Sequence, residues 1–145
     1  MSIVFGVDLD QAIEAQRKAM QAIATGDPAP TKALYSDAED VTLANPWGPA
    51  VRGPVAVHEM LDFVGTRFRD GVLDSFDQIA MYAGSTIASV LETESWRVKV
   101  GGRDELSSFV LRVTCTYRRE GDTWKLVSRH ADPISAPRPD GPLQT

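Results

Sequence analysis

The spacing of apolar residues changes period along this chain. At the N-terminal end Leu9, Ile13, Met20 and Ile23 fall near one face of a helix, with alanines filling beside them. Asp8 stands where an N-cap belongs, and Gln11 completes a capping-box pattern. Gly26 ends this helix, and Asp27-Pro28 forbids its continuation. A short second helix is predicted over residues 31–36, then a brief strand at Val41-Thr42-Leu43 and a rigid turn at Asn45-Pro46-Trp47-Gly48-Pro49. Gly53-Pro54 opens a third helix with proline in its first position. Val57, Leu61, Val64 and Phe68, at i, i+4, i+7 and i+11, make its buried stripe.

From residue 74 onward the period becomes two. A strand is predicted over 74–81, a turn at Gly84-Ser85, and two long strands over 86–100 and 103–119. Strands well beyond the usual length of about five or six residues twist and curl around whatever covers them. On the central strand Phe109, Leu111, Val113, Cys115 and Tyr117 form one side; Val110, Arg112, Thr114, Thr116 and Arg118 form the other. On the last strand regular alternation puts Trp124 and Leu126 on one face with Ser128, His130 and Asp132. The expected class is α+β, a curved antiparallel sheet wrapped around three N-terminal helices. One domain is expected over residues 1–133, with a proline-rich tail over 134–145 that neither helix nor sheet accommodates.

Two-residue turns at Gly101-Gly102 and Glu120-Gly121 would set the register of the last three strands. Val100 then faces Arg103, and Arg119 faces Asp122. Counting outward, Glu92 lies opposite Leu111 and Leu111 opposite His130, while Glu94 lies opposite Phe109 and Phe109 opposite Asp132. These six residues would form one patch of ionisable groups on an apolar floor. An imidazole beside a carboxylate is a general-base arrangement near neutral pH. Carboxyls among apolar side chains suit a general acid, since burial raises their pKa. Glu92 and His130, separated by one strand, would stand roughly 10 Å apart, room for a ligand between acid and base. The alternative is structural: His130 and Asp132 as a rim pair before Pro133, and Glu92 and Glu94 solvated or paired with Arg97 or Arg103. Asn45 and Trp47 are candidate ligand contacts at the proline-rich turn, where turn chemistry and packing would also account for them. Trp96, Val113 and Ser128 complete the expected lining, although packing alone also explains Trp96. A single bulge would turn the whole patch outward.

Composition narrows the function classes. The 145 residues are 43% hydrophobic and 24% charged, ordinary for a globular domain with a real core. A net charge of −5 argues against nucleic acid and anionic membranes as partners. No apolar run approaches the ~18 residues of a spanning helix, and residues 1–7 lack the basic and apolar regions of a secretory signal. The lone cysteine, Cys115, excludes an internal disulfide and fits a reducing cytoplasm. No metal-ligand spacing, phosphate-cradling glycine loop or nucleophile motif is present, so neither a metal nor a cofactor is expected.

The order of elements resembles the nuclear transport factor-like cone fold, and within it the SnoaL-like and ketosteroid-isomerase-like proteins. The resemblance runs from about Asp8 to Pro133. Gly26-Asp27, Tyr35-Ser36-Asp37, Val41 through Gly53, the long hairpin and the closing segment from Trp124 to Pro133 carry it. It implies an internal pocket, and it spans isomerases, dehydratases, cyclases and hydrolases as well as domains that only bind or assemble, so function has to be argued from the site. Ketosteroid isomerases place a base in an Asp-Pro-aromatic-Gly turn; here the turn reads Asn45-Pro46-Trp47-Gly48. Their carbonyl-polarising tyrosine and protonated aspartate map near Ala19 and Val113. All three groups are missing, so that mechanism is not expected.

The expectation is a cytoplasmic pocket protein for a small, mostly apolar, oxygenated molecule. As an enzyme it would catalyse cofactor-free isomerisation, dehydration or cyclisation of a carbonyl compound, with His130 as base, Asp132 as its partner, Glu92 as acid and Asn45 as donor. The alternative is a non-catalytic binding or self-association domain. A homodimer would use the outer sheet face, where Leu91, Val110 and Val127 stand among threonines and Arg112.

Overall fold

The computed structural model describes residues 8–134 and 136–141. Residues 1–7, where no secretory signal is expected, lie outside them, as does Pro142 of the proline-rich tail. The first helix, α1 (Leu9–Ala24), starts at the expected capping box. The Gln11 N–H donates to Asp8 Oδ1 at 2.8 Å, and the Asp8 N–H donates to Gln11 Oε1 at 3.1 Å. Gly26 follows with φ +96°, and a Cβ there would meet the Phe68 and Gly65 carbonyls at 3.2 and 3.3 Å, so both the conformation and the close approach call for glycine. The second helix, α2 (Ala29–Leu34), is one short turn and a half, and α3 (Pro54–Gly65) starts with proline behind Gly53. Phe68 was expected as the last rung of the α3 stripe. It instead opens a strand and is still buried, at 6% exposure.

Six strands form one sheet: β1 (Thr42–Asn45), β2 (Gly48–Arg52), β3 (Phe68–Ala83), β4 (Ile87–Val100), β5 (Ser107–Glu120) and β6 (Thr123–Asp132), in the order β2-β1-β6-β5-β4-β3. The class is α+β, with a curved sheet wrapped around three helices. Two details differ from expectation. The proline-rich turn closes a hairpin whose second arm, β2, was not foreseen; Pro49 is tolerated there because β2 is an edge strand. And β1 pairs with β6 in parallel, so the sheet is mixed rather than wholly antiparallel. Among the described residues no helix is long and apolar enough to cross a membrane.

Both expected turns shift, with unequal consequences. After Val100 the chain makes a wider loop over residues 101–106 before β5 begins. The Gly101 N–H donates to the Arg67 carbonyl at 2.8 Å, and Arg69 holds the Arg103 carbonyl at 2.8 Å, which ties the loop to β3. The register therefore moves by two: Glu92 faces Val113, Glu94 faces Leu111 and Trp96 faces Phe109. An even shift preserves faces, so Phe109, Leu111, Val113, Cys115 and Tyr117 point inward as expected. At the next turn Glu120 faces Thr123, with Gly121 at φ +65°. Tyr117 pairs with Leu126 but Thr116 pairs with Ser128, leaving Val127 as an extra residue in β6. This bulge reverses the faces beyond it.

The bulge sits where β6 changes neighbours. The Leu126 carbonyl accepts from the Ser36 N–H at 2.9 Å, and from Ser128 onward β6 pairs with β1. Leu126 and Val127 are both buried as a result, so Val127 does not belong to the outer face where it was expected.

Candidate functional site

Beyond the bulge, Arg129 and Ala131 point into the cone, and Ser128, His130 and Asp132 point out. The expected acid–base patch is therefore divided between two faces of the sheet. His130 is exposed and faces Thr114; Asp132 faces Arg112 and forms a surface ion pair with it at 2.8 Å. Arg112 and the Ile134 N–H overcome the opposing effect of partial burial and hold the Asp132 carboxyl below its usual range. Ser128 accepts a hydrogen bond from the Thr42 hydroxyl at 2.8 Å on that outer side. The assignments of His130 as interior base, Asp132 as its partner and Ser128 as a pocket residue are corrected accordingly. The cause is one residue, Val127, inserted against the alternation.

Glu92 and Glu94 are inside, and each has an arginine. Arg129 donates from Nη2 to Glu94 Oε1 at 2.7 Å and from Nη1 to Oε2 at 2.8 Å. The Trp96 indole N–H donates to the same carboxylate at 3.1 Å. Arg17, from α1, donates to Glu92 Oε2 at 2.8 Å. The side chain of Glu94 is 0% exposed and that of Glu92 3%. Burial works against the Arg129 charge, but the pull of Glu94 and its hydrogen bonds outweigh burial and the guanidinium is held charged. Burial pushes the nearby Cys115 thiol up to about 12 against the pull of Arg129.

A cavity of about 40 Å³ lies beside this pair, lined mostly by apolar side chains of α1, α3 and the sheet, with Arg129 and Asn45 as its polar members. It holds about three or four waters at most, since one water needs roughly 10–15 Å³ of such space. It adjoins an apolar mouth of about 240 Å³, and the two share Pro46, Trp47, Phe68 and Leu111. Aromatic rings join the cavity to its mouth: Trp96, in the cavity wall, stacks on Phe109 at 5.6 Å, Phe68 lies 5.1 Å from Trp96, and Trp47 meets Phe68 edge-on at 5.6 Å. Asn45 Oδ1 accepts from the Trp47 N–H at 3.0 Å, fixing the turn and leaving the amide NH₂ as the uncommitted end.

Of the residues expected at the pocket, Asn45, Trp47, Trp96, Phe109 and Leu111 line the cavity or its mouth. Glu94 stands behind that lining, Val113 lies deeper and fully buried, and Glu92 belongs to the second ion pair. Arg129 and Arg17 went unnoticed. A signal for them was present: two carboxylates on one buried face require counter-charges. Arg17 lies four residues after Ile13 and three before Met20, on the inward side of α1.

The sequence pattern of the SnoaL-like domain matches residues 13–137. This chain belongs to the SnoaL-like domain family. Solved structures similar to this SnoaL-like domain share its fold at low identity. An NTF2-like superfamily protein from Salmonella enterica serovar Typhimurium superposes with TM-score 0.72 at 16% identity, covering 85% of this chain and 88% of that one. An NTF2-like protein of unknown function from Pseudomonas putida gives 0.68 at 23%, covering 89% and 84%. A ketosteroid isomerase-like protein from Erwinia carotovora atroseptica gives 0.67 at 17%, covering 91% and 100%. No curated protein matches in sequence.

Proposed function

We propose that this SnoaL-like domain binds a small, mostly apolar molecule and orients it through one oxygen acceptor. The observation that carries the reading is a guanidinium set in the wall of a mostly apolar cavity, where it is locked in place by a buried carboxylate. Arg129 has five N–H donors, and Glu94 accepts from two of its nitrogens. The Asn45 amide supplies a second donor at the cavity wall. Aromatic and aliphatic side chains would take up the apolar body of the ligand.

Binding is favoured over cofactor-free proton transfer. The imidazole assigned as base is on the outer face, and both interior carboxylates are committed to arginines. Among the described residues lining the cavity there is no Asp, Glu or His. The test is native mass spectrometry of the purified protein for a retained adduct, together with tryptophan fluorescence titration of wild type and Ala131→Phe. Ala131 lines the cavity, so phenylalanine there should abolish binding. Undiminished binding by Ala131→Phe would refute the reading.

Self-association is a second reading, supported by apolar side chains on the outer sheet face. Tyr82 and Ile87 are 69% and 52% exposed there, near half-buried Leu91, and Val110 lies farther along the same face. Sedimentation of wild type and Tyr82→Glu would test it; a monomeric wild type ends it.

A further inference from the structure

We infer that Glu94 sets the charge selectivity of the cavity, so that it accepts uncharged carbonyl compounds and rejects carboxylates. This rests on the reading of the cavity as a ligand site. Arg129 by itself would be a carboxylate receptor, since guanidinium and carboxylate match as a two-pronged pair. That match is already made within the protein. Both oxygens of Glu94 receive Arg129, and the Trp96 indole N–H holds one of them, so the carboxylate is fixed from two directions and fully buried. The other interior carboxylate, Glu92, is balanced by Arg17. Two anions and two cations cancel, and among the described residues lining the cavity Arg129 is the only charged one.

A ligand carboxylate entering this space would lose its hydration and meet a guanidinium that is already neutralised, with Glu94 behind it repelling the newcomer. Buried charge without its own counter-charge is strongly disfavoured. A ketone, ester or amide oxygen makes no such demand. It needs one N–H, and Arg129 and the Asn45 amide offer donors without net charge.

Glu94→Gln keeps the shape and an acceptor for Arg129 while removing the negative charge, so it should convert the cavity toward anions. The experiment is tryptophan fluorescence titration of the full chain with 2-acetylnaphthalene and with 2-naphthoate at neutral pH, where the acid is ionised. Wild type should bind the ketone at least tenfold more tightly than the carboxylate. In Glu94→Gln that ratio should fall at least tenfold or reverse. Comparable wild-type affinity for the two probes overturns the proposal while leaving the ligand site standing, and this comparison decides even if the variant does not fold. An unchanged ratio in a folded Glu94→Gln also overturns it. Ketone binding that survives Ala131→Phe, or no binding of either probe, removes the cavity reading itself and this proposal with it.

Discussion

Glu94 and Arg129 lie 35 residues apart in the chain and meet inside the cone through two hydrogen bonds, at 2.7 and 2.8 Å. Removing one partner strands the other charge in an apolar interior. Arg129→Met should therefore cost about 3–5 kcal/mol. The double variant Glu94→Leu/Arg129→Met should cost much less than the sum of the two single changes, because apolar replacement of both members is often neutral. Urea unfolding followed by circular dichroism measures both. By contrast Arg112→Ala, which breaks an ion pair whose side chains are 50% and 30% exposed, should cost no more than about 1 kcal/mol.

His130→Ala tests the corrected register. The side chain is exposed on the outer face, so its loss should change stability by less than about 0.5 kcal/mol and leave ligand affinity unaltered. A variant that folds normally but no longer binds the ketone probe would return the imidazole to the site.

Much of the fold was legible, because periodicity and caps are local properties. The Asp8–Gln11 capping box, the proline opening α3 and the inward set from Phe109 to Tyr117 all stand where the pattern placed them. The site was only half legible, because it depends on the pairing between strands. The Gly101-Gly102 error was harmless, since the wider loop moved the register by two. Val127 moved it by one, and no local propensity marks that residue as a bulge. What fixes it is distant: the Ser36 N–H on the Leu126 carbonyl and the pairing of β1 with β6 beyond it.

Deleting Val127 removes the extra residue, so Ser128 follows Leu126 directly and points out, while Arg129 stays inward beside Glu94. The expected result is a chain that still unfolds cooperatively and keeps its near-ultraviolet circular dichroism, destabilised by about 0.5–3 kcal/mol through the loss of a buried valine. A deletion variant without a cooperative transition would show that β6 needs the extra residue to pass from one neighbour to the next.

Acid sensitivity follows from the surface arginines. Asp40 and Asp74 are held below the usual carboxylate range by hydrogen bonds from Arg118 and Arg97, and Asp132 by Arg112 against its partial burial. A carboxylate depressed in the folded state binds fewer protons there than in the unfolded chain, so stability rises with pH through this range. The contribution is complete above the unfolded aspartate value of about 3.9 and is lost as pH falls through the depressed values. Urea midpoints should fall modestly below about pH 4, since exposed pairs are individually weak. Arg97→Gln should flatten that drop; an unchanged slope in this variant would deny Asp74 its part.

Cys115 offers a direct measure of whether the inward face of β5 is closed. The residue is 2% exposed, and burial pushes the thiol pKa up to about 12. At pH 8 only about one thiol in ten thousand would be ionised, against about a quarter in an unfolded chain with a pKa near 8.5. Ionisation alone therefore predicts labelling by a disulfide reagent at least about a hundredfold slower in the native protein than in urea, before steric exclusion is counted. The residual native rate should report opening of the sheet, and a ligand in the neighbouring cavity should slow it in proportion to occupancy, since binding stabilises the closed form. Native labelling as fast as in urea would mean that Cys115 reaches solvent, and that the wall supporting Arg129 is open.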